Sequence, residues 1–391
     1  MADIGRNRGA QGVFPTSRLG TTDSPWAGRT VSRPTRGGRW AERRHGSQAV
    51  PNEGSDLLLS VIVPTHGRTC QLQNLLDDFR KAADHGRLFD VPIELLVVCD
   101  GPQEGIETRL RRLPRTLRPR CLTQPHAGPA AARNLALRHA RGEWLLFLDD
   151  DIRICAETLI GHLERISAAP RGCHAYLGRC ELADSVIDSA WRAVLAHTPL
   201  LYFAGLRPDR TYGYRFFRTR NLSVRAEYVR EVGGFRPALG DGADGAMMNF
   251  HEDIELGWRL QHDFDVDVRF VPEIPGEHEH ALAPRDYFHR EHRAGRAAAA
   301  VRDVNRRFHD ETWPWVADAS AQFDALRTSL STSLTETRRE LECLSQRPAS
   351  DISRSELRLA YLALLPLRRA AFLGGYAGRE FADLWPGEPL N

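Results

Sequence analysis

Three adjacent carboxylates, Asp149, Asp150 and Asp151, close a run of five apolar residues, Trp144 to Leu148. Like charges packed this tightly repel one another, so a positive partner is expected beside them. Hard divalent cations take carboxylate oxygens and are the obvious candidate. For a lone cluster, a solvated acidic turn is the simpler account. Other residues of chemical type stand elsewhere in the chain. Asp100 follows the apolar run Ile93–Val98, and Glu252–Asp253 opens a helical pattern. Arg133–Asn134 lies within another helical pattern, and His278 and His280 alternate with Glu277 and Glu279.

The elements that must position these residues alternate. Leu59–Pro64 is a β-branched apolar run of buried-strand type, and Leu72, Leu75, Leu76 and Phe79 then recur at helical spacing from Thr69 to about Asp84. A strand over 93–98 is followed by a polar helix through Arg109, and a weaker strand follows over 120–123. Pro129 occupies a favoured first helical position and opens a helix running to Gly142. Trp144–Leu148 is the fourth strand. Strand–helix alternation implies a mostly parallel sheet covered on both faces. Ligands of such sheets collect at the carboxyl ends of the strands, so Asp100 and Asp149–Asp151 are expected on one rim. Further on, the pattern predicts a helix over 152–170, a short helix ending at Gly233–Gly234–Phe235, a helix over 251–260 and a strand over 267–271. Three helical stretches are predicted near 285–308, 318–345 and 351–380.

The bulk properties exclude more than they assign. The chain has 391 residues, 42% hydrophobic and 27% charged, with a net charge of +2. This is ordinary for a soluble globular protein and gives no argument for nucleic acid. Seven cysteines, an odd count without CxxC spacing, argue against a zinc site or a disulfide framework and suit a reducing cytosol. No apolar stretch is long enough to cross a bilayer and no signal pattern opens the chain, so a cytoplasmic location is expected. Residues 1–55 are rich in Gly, Arg, Pro and Ser without periodicity and read as a disordered basic tail.

Several ordered motifs resemble the family-two glycosyltransferases of GT-A fold. They are Ser60–Thr65, Asp100–Gly101, Gly128 through Arg133–Asn134, Asp149–Asp151, Asn221–Arg225, Gly233–Gly234–Phe235 and Glu252–Asp253. The resemblance implies a GT-A domain over 56–282, α/β with a mostly parallel, Rossmann-like central sheet flanked by helices, and a helical C-terminal extension over 283–391. It implies that Pro64, Thr65, Asp100, Arg133, Asn134 and Asp150 border a nucleotide-sugar, with Asp100 on the base. Cys99 stands where the family often has another acid. Asp149 and Asp151 match the DxD acids that hold a divalent metal, Mn2+ or Mg2+, on the donor diphosphate. His280, or its neighbour His278, matches a further metal-ligating histidine, and Asp253, with Glu252 beside it, matches the catalytic base. The family's commonest donors make a UDP-sugar the expected one. The acceptor is not legible.

The chemistry calls for these residue types independently. A departing diphosphate needs its growing charge offset, which a carboxylate-held metal does. The acceptor hydroxyl needs a general base on the opposite face of the sugar, and in-line attack then inverts the anomeric centre. A nucleotidyltransferase is disfavoured because Pro64–Thr65–His66–Gly67–Arg68 has a single glycine. A non-catalytic relative would not need Asp149, Asp151 and Asp253 together, and no GxGxxG follows the first strand to suggest a dinucleotide enzyme. The helix near 351–380 is read as packing on the catalytic domain, with peripheral membrane contact as the alternative.

Overall fold

The computed structural model describes residues 58–88, 91–168, 174–201, 204–208, 210–237, 250–279 and 282–385. Strand β1 (Leu59–Thr65) pairs in parallel with β2 (Ile93–Asp100) and with β4 (Trp144–Leu148), and β2 pairs in parallel with β3 (Arg120–Gln124). The connections are helical: α1 (Thr69–Ala83), α2 (Ile106–Leu110) and α3 (Gly128–His139). The β1 sequence explains why it lies at the centre. Leu59, Val61 and Val63 point into a core shared with Leu72, Leu75 and Phe79 of α1, whereas Ile62 points into the opposite core with Ala130, Ala132 and Ala136 of α3. A strand buried on both faces needs apolar residues at both phases of its period-two alternation. Each such side chain contributes about 1.5–3 kcal/mol on burial.

The second half of the sheet is mixed. After β5 (Ile152–Arg153) and α4 (Ala156–Ser167) come β6 (His174–Gly178), β7 (Glu181–Leu182), α5 (Ala190–His197), β8 (Thr211–Tyr212), β9 (Asn221–Arg225) and α6 (Ala226–Glu231). Helix α7 (Glu252–Phe264), β10 (Asp267–Val271) and β11 (Glu277–His278) follow. The large sheet runs β3-β2-β1-β4-β9-β6-β10-β8, with β9 antiparallel to both β4 and β6 and β8 antiparallel to β10. A small sheet, β5-β11-β7, is separate. The helix predicted over 152–170 therefore starts later, because Ile152 and Arg153 are drawn into a ladder with His278 and Glu277. Sequence periodicity cannot show this, since the partner lies more than a hundred residues away.

The C-terminal region is helical: α8 (Pro284–Val304), α9 (Arg306–Thr312), α10 (Ala319–Leu330), α11 (Leu334–Gln346) and α12 (Arg354–Tyr376). Two predicted helices are each split. Asn305 ends α8 and caps α9 by accepting from the Phe308 N–H, and the Ser-Thr-Ser run at 331–333 separates α10 from α11. Helices α8 and α12 approach so closely that a Cβ on Gly295 would lie 1.9 Å from the Phe372 carbonyl oxygen, and one on Gly375 would lie 1.8 Å from that of His292. These helices belong to the same compact unit as the sheet. Leu364, Leu367, Phe372 and Leu373 of α12 are buried, whereas Leu359 and Leu362 nearer its start are exposed. No helix among the described residues is long and apolar enough to cross a membrane.

Candidate active site

Asp149, Asp150 and Asp151 follow β4 directly, so they emerge beside the end of β1 on the rim where β2 ends at Asp100. Pro64 and Thr65 close β1 on the same rim, Thr65 opposite Cys99. Two guanidiniums meet the three carboxylates. Arg133 donates to Asp149 Oδ1 at 2.9 Å, and Arg68 Nη1 donates to Asp150 Oδ1 at 3.2 Å and to Asp151 Oδ2 at 2.6 Å. Asp150 and Asp151 are buried and Asp149 is partly exposed. Burial, against the opposing pull of Arg68, pushes the Asp150 carboxyl up to about 6.

Arg133 joins this cluster to the second acidic site. Its other nitrogen donates to Glu252 Oε1 at 3.0 Å, so residues 119 apart in sequence share one guanidinium. Arg133 is nearly fully buried. Burial opposes its charge, but Asp149, Glu252 and Asp253 outweigh that and raise its pKa. Glu252 is raised by burial and then by the Asp253 charge, against Arg133. Both acids open α7, where the positive end of the helix dipole favours carboxylates. Asp253 accepts from its neighbour Ile254 N–H at 2.7 Å and from Arg218 at 3.4 Å. His251 holds the start of this helix. Its φ of 71° is left-handed, its Nε2–H donates to the Ala294 carbonyl at 2.9 Å, and its ring packs edge-on against Trp313. The C-terminal helices therefore fix the position of Glu252 and Asp253.

Two of the residues expected at the nucleotide, Asp100 and Asn134, make several hydrogen bonds within the chain. At Asp100, expected beside the base, Oδ1 accepts from Gln124 at 2.7 Å and the Ala127 N–H at 2.8 Å, and Oδ2 from the Gly128 N–H at 2.8 Å and His126 at 3.0 Å. Burial alone would raise this carboxyl, but those hydrogen bonds hold it below its usual range. Asp100 thus ties the start of α3 to the end of β2. Asn134 likewise accepts from the Phe235 N–H and donates to the Phe235 carbonyl, both at 2.8 Å, bracing the Gly233–Gly234–Phe235 turn. Arg133, by contrast, lies at the centre of the acidic site.

A divalent cation fits the rim chemically. Asp151 Oδ1 is buried without a hydrogen-bond partner, and His278 Nε2 lies 3.5 Å from it. Carboxylate oxygens with one imidazole suit Mn2+ or Mg2+. His280 lies outside the described residues; His278, on β11, is the histidine at Asp151. Sequence reasoning missed several residues here. Arg68 was read only as part of a loop with too few glycines, although it is a basic residue just past a strand end. His66 and His126 stack 3.8 Å apart at 16°, with the His66 Nδ1–H donating to the Asp100 carbonyl. Together with Asp100 they bring ligand atoms within 4.8 Å of one another. Stacked rings direct their lone pairs side by side, however, and the Asp100 oxygens are engaged, so a metal suits this trio poorly.

An α/β sheet with helices on both faces, an acidic triplet at the end of its fourth strand and an acidic pair opening a later helix define the GT-A class of glycosyltransferase folds. Residues 60–231 match the model of Glycosyl transferase family 2. The match ends before Glu252 and Asp253. The chain is 29% identical over 226 residues to a pre-mycofactocin glycosyltransferase of Mycobacterium tuberculosis (54% of this chain, 43% of that protein). It is 30% identical over 129 residues to an uncharacterized glycosyltransferase of Haemophilus influenzae (32% of this chain, 41% of that protein). The chain thus spans less than half the length of these curated relatives. Among solved structures, the mannosyltransferase PcManGT from Pyrobaculum calidifontis, in complex with GDP-Man and Mn2+, shares the fold. Its TM-score is 0.50 at 20% identity, covering 84% of this chain and 88% of that one.

Proposed function

We propose that the protein is an inverting, metal-dependent glycosyltransferase that moves a sugar from a nucleoside-diphosphate donor onto an acceptor hydroxyl. One observation carries this reading: Arg133 binds Asp149 at 2.9 Å and Glu252 at 3.0 Å, so a diphosphate-facing acid and a helix-start acid belong to one site. Asp149 and Asp151 would hold the cation, with His278 alongside. When bound, that cation offsets the charge growing on the leaving diphosphate. The Mn2+ in the Pyrobaculum complex accords with this.

The chain's own residues supply the rest. Asp253 takes the proton of the acceptor hydroxyl as general base, and attack opposite the leaving group inverts the anomeric centre. Asp253 is the better base of the acidic pair because the Glu252 carboxylate is engaged by Arg133, whereas Asp253 meets Arg218 only at 3.4 Å. Glu252 and Arg133 then orient the start of α7 against the rim. Pro64, Thr65 and Asp150 border the donor, and the exposed face of His66 offers a flat surface for a nucleobase. A UDP-sugar remains the first donor to try.

Two measurements test this. A thermal-shift panel of nucleoside diphosphates and sugar nucleotides, with and without Mn2+, is expected to show stabilisation by one base and only with metal. Asp253→Asn is expected to abolish transfer, by about a hundredfold or more for loss of a general base, while that nucleotide still binds. Turnover retained in Asp253→Asn would remove Asp253 as the base.

A further inference from the structure

The cation that meets Asp150 and Asp151 is supplied by the chain itself. We propose that Arg68 is an internal counter-cation, which holds these two carboxylates until a divalent metal takes Asp151 and then turns its guanidinium onto the donor diphosphate. This inference rests on the reading of the rim as a sugar-nucleotide site.

The geometry supports both halves. A single nitrogen, Nη1, meets Asp150 Oδ1 at 3.2 Å and Asp151 Oδ2 at 2.6 Å, which is how a bridging cation sits between two carboxylates. The other oxygen of Asp151 is buried without a hydrogen-bond partner. Metal and guanidinium would therefore share one carboxylate and compete for it. The two partners also differ in freedom: the Arg68 side chain is 47% exposed, whereas those of Asp150 and Asp151 are each 6% exposed. The arginine can leave while the acids stay.

Its attachment allows the movement. Gly67 has a φ of +69° with open space around it, a backbone state that glycine adopts without strain. Arg68 occupies the N-cap of α1, where no side chain accepts from the exposed amides and no acid stands in the first turn. The 15-residue helix therefore presents its positive end beside the same rim. A guanidinium displaced from the carboxylates moves into a region already favourable to phosphate, and its planar fork matches phosphate oxygens.

The role predicts changes of opposite sign in two binding constants, which loss of a merely structural residue would not produce. Titration calorimetry on the full chain would use MnCl2 alone, and then UDP and GDP at saturating Mn2+. Arg68→Ala is expected to bind Mn2+ alone roughly three- to tenfold more tightly, the order of a half-exposed ion pair removed from competition. It is expected to bind the nucleoside diphosphate about tenfold more weakly, the order of a charge-assisted hydrogen bond. Arg68→Lys keeps the charge without the fork and should fall between wild type and Arg68→Ala on both scales; it also serves if the alanine variant does not fold. Weakening of both constants, or a change in neither, would overturn the role of Arg68 while leaving the donor site standing. Absence of any Mn2+-dependent UDP or GDP binding in the wild type would overturn the donor site and the role of Arg68 together.

Discussion

Arg133→Met replaces the bridging guanidinium by an apolar side chain of similar length and leaves two acids behind. The side chain of Glu252 is 9% exposed and that of Asp149 is 32% exposed, so the two losses are unequal. Removing one partner of a buried pair costs about 3–5 kcal/mol, because the other charge stays buried and uncompensated. The half-exposed pair with Asp149 adds at most about 1 kcal/mol. A net destabilisation of about 3–4 kcal/mol is expected, since Glu252 can take up a proton, towards which burial and Asp253 already push it. Glu252→Gln alone removes a charge-assisted hydrogen bond and should cost about 1.5–3 kcal/mol. In the double variant the buried Glu252 charge is gone and only the partly exposed Asp149 lacks its partner, so the loss should fall short of the sum by about 2 kcal/mol. The assay is urea unfolding followed by tryptophan fluorescence, with chelator present so that no metal substitutes for the arginine. If the two single losses add to within about 0.5 kcal/mol of the double, the acids are not coupled through Arg133 and the bridge between the two halves of the site is refuted.

Asn134→Ala removes both hydrogen bonds to the Phe235 backbone and should destabilise the fold by about 1–3 kcal/mol. Nucleotide affinity of the folded protein should be unchanged, and a specific loss of nucleotide affinity at full stability would restore Asn134 as a donor contact. Acid should also weaken the fold. Burial lowers His162 and His251 each to about 4, below the ordinary 6.5, so the unfolded chain binds protons first. Their contribution is present above about pH 6.5 and is lost as pH falls towards 4, at about 2 kcal/mol per histidine by pH 5. Denaturation midpoints between pH 7.5 and 5 would show it, and His162→Gln should remove about half of the slope; an unaltered slope would show that His162 is not the group responsible.

Much of the parallel half of the fold was legible because its signals are local. Apolar runs bounded by turn residues marked β1, β2 and β4 almost to the residue, and amphipathic spacing marked α1 and α7. Alternation of the two implied that Asp100 and Asp149–Asp151 would share a rim. Elements made by distant partners were not legible. Ile152 and Arg153 form a strand only because Glu277 and His278 lie beside them, and the antiparallel insertion of β9 between β4 and β6 leaves no periodic signature.

The same division runs through the site. Residue type and order by themselves determined that acids would gather on one rim, because a triplet closing a buried strand and an acid closing a neighbouring parallel one emerge at the same strand ends. Only the tertiary structure decided how each is held. Four donors from residues 124–128 make Asp100 a tie between β2 and α3. One buried arginine joins Asp149 to Glu252, and another, coming from beyond β1, settles on Asp150 and Asp151. Hydrogen bonds and ion pairs form between groups that folding brings within about 3 Å, a distance that spacing along the chain does not encode.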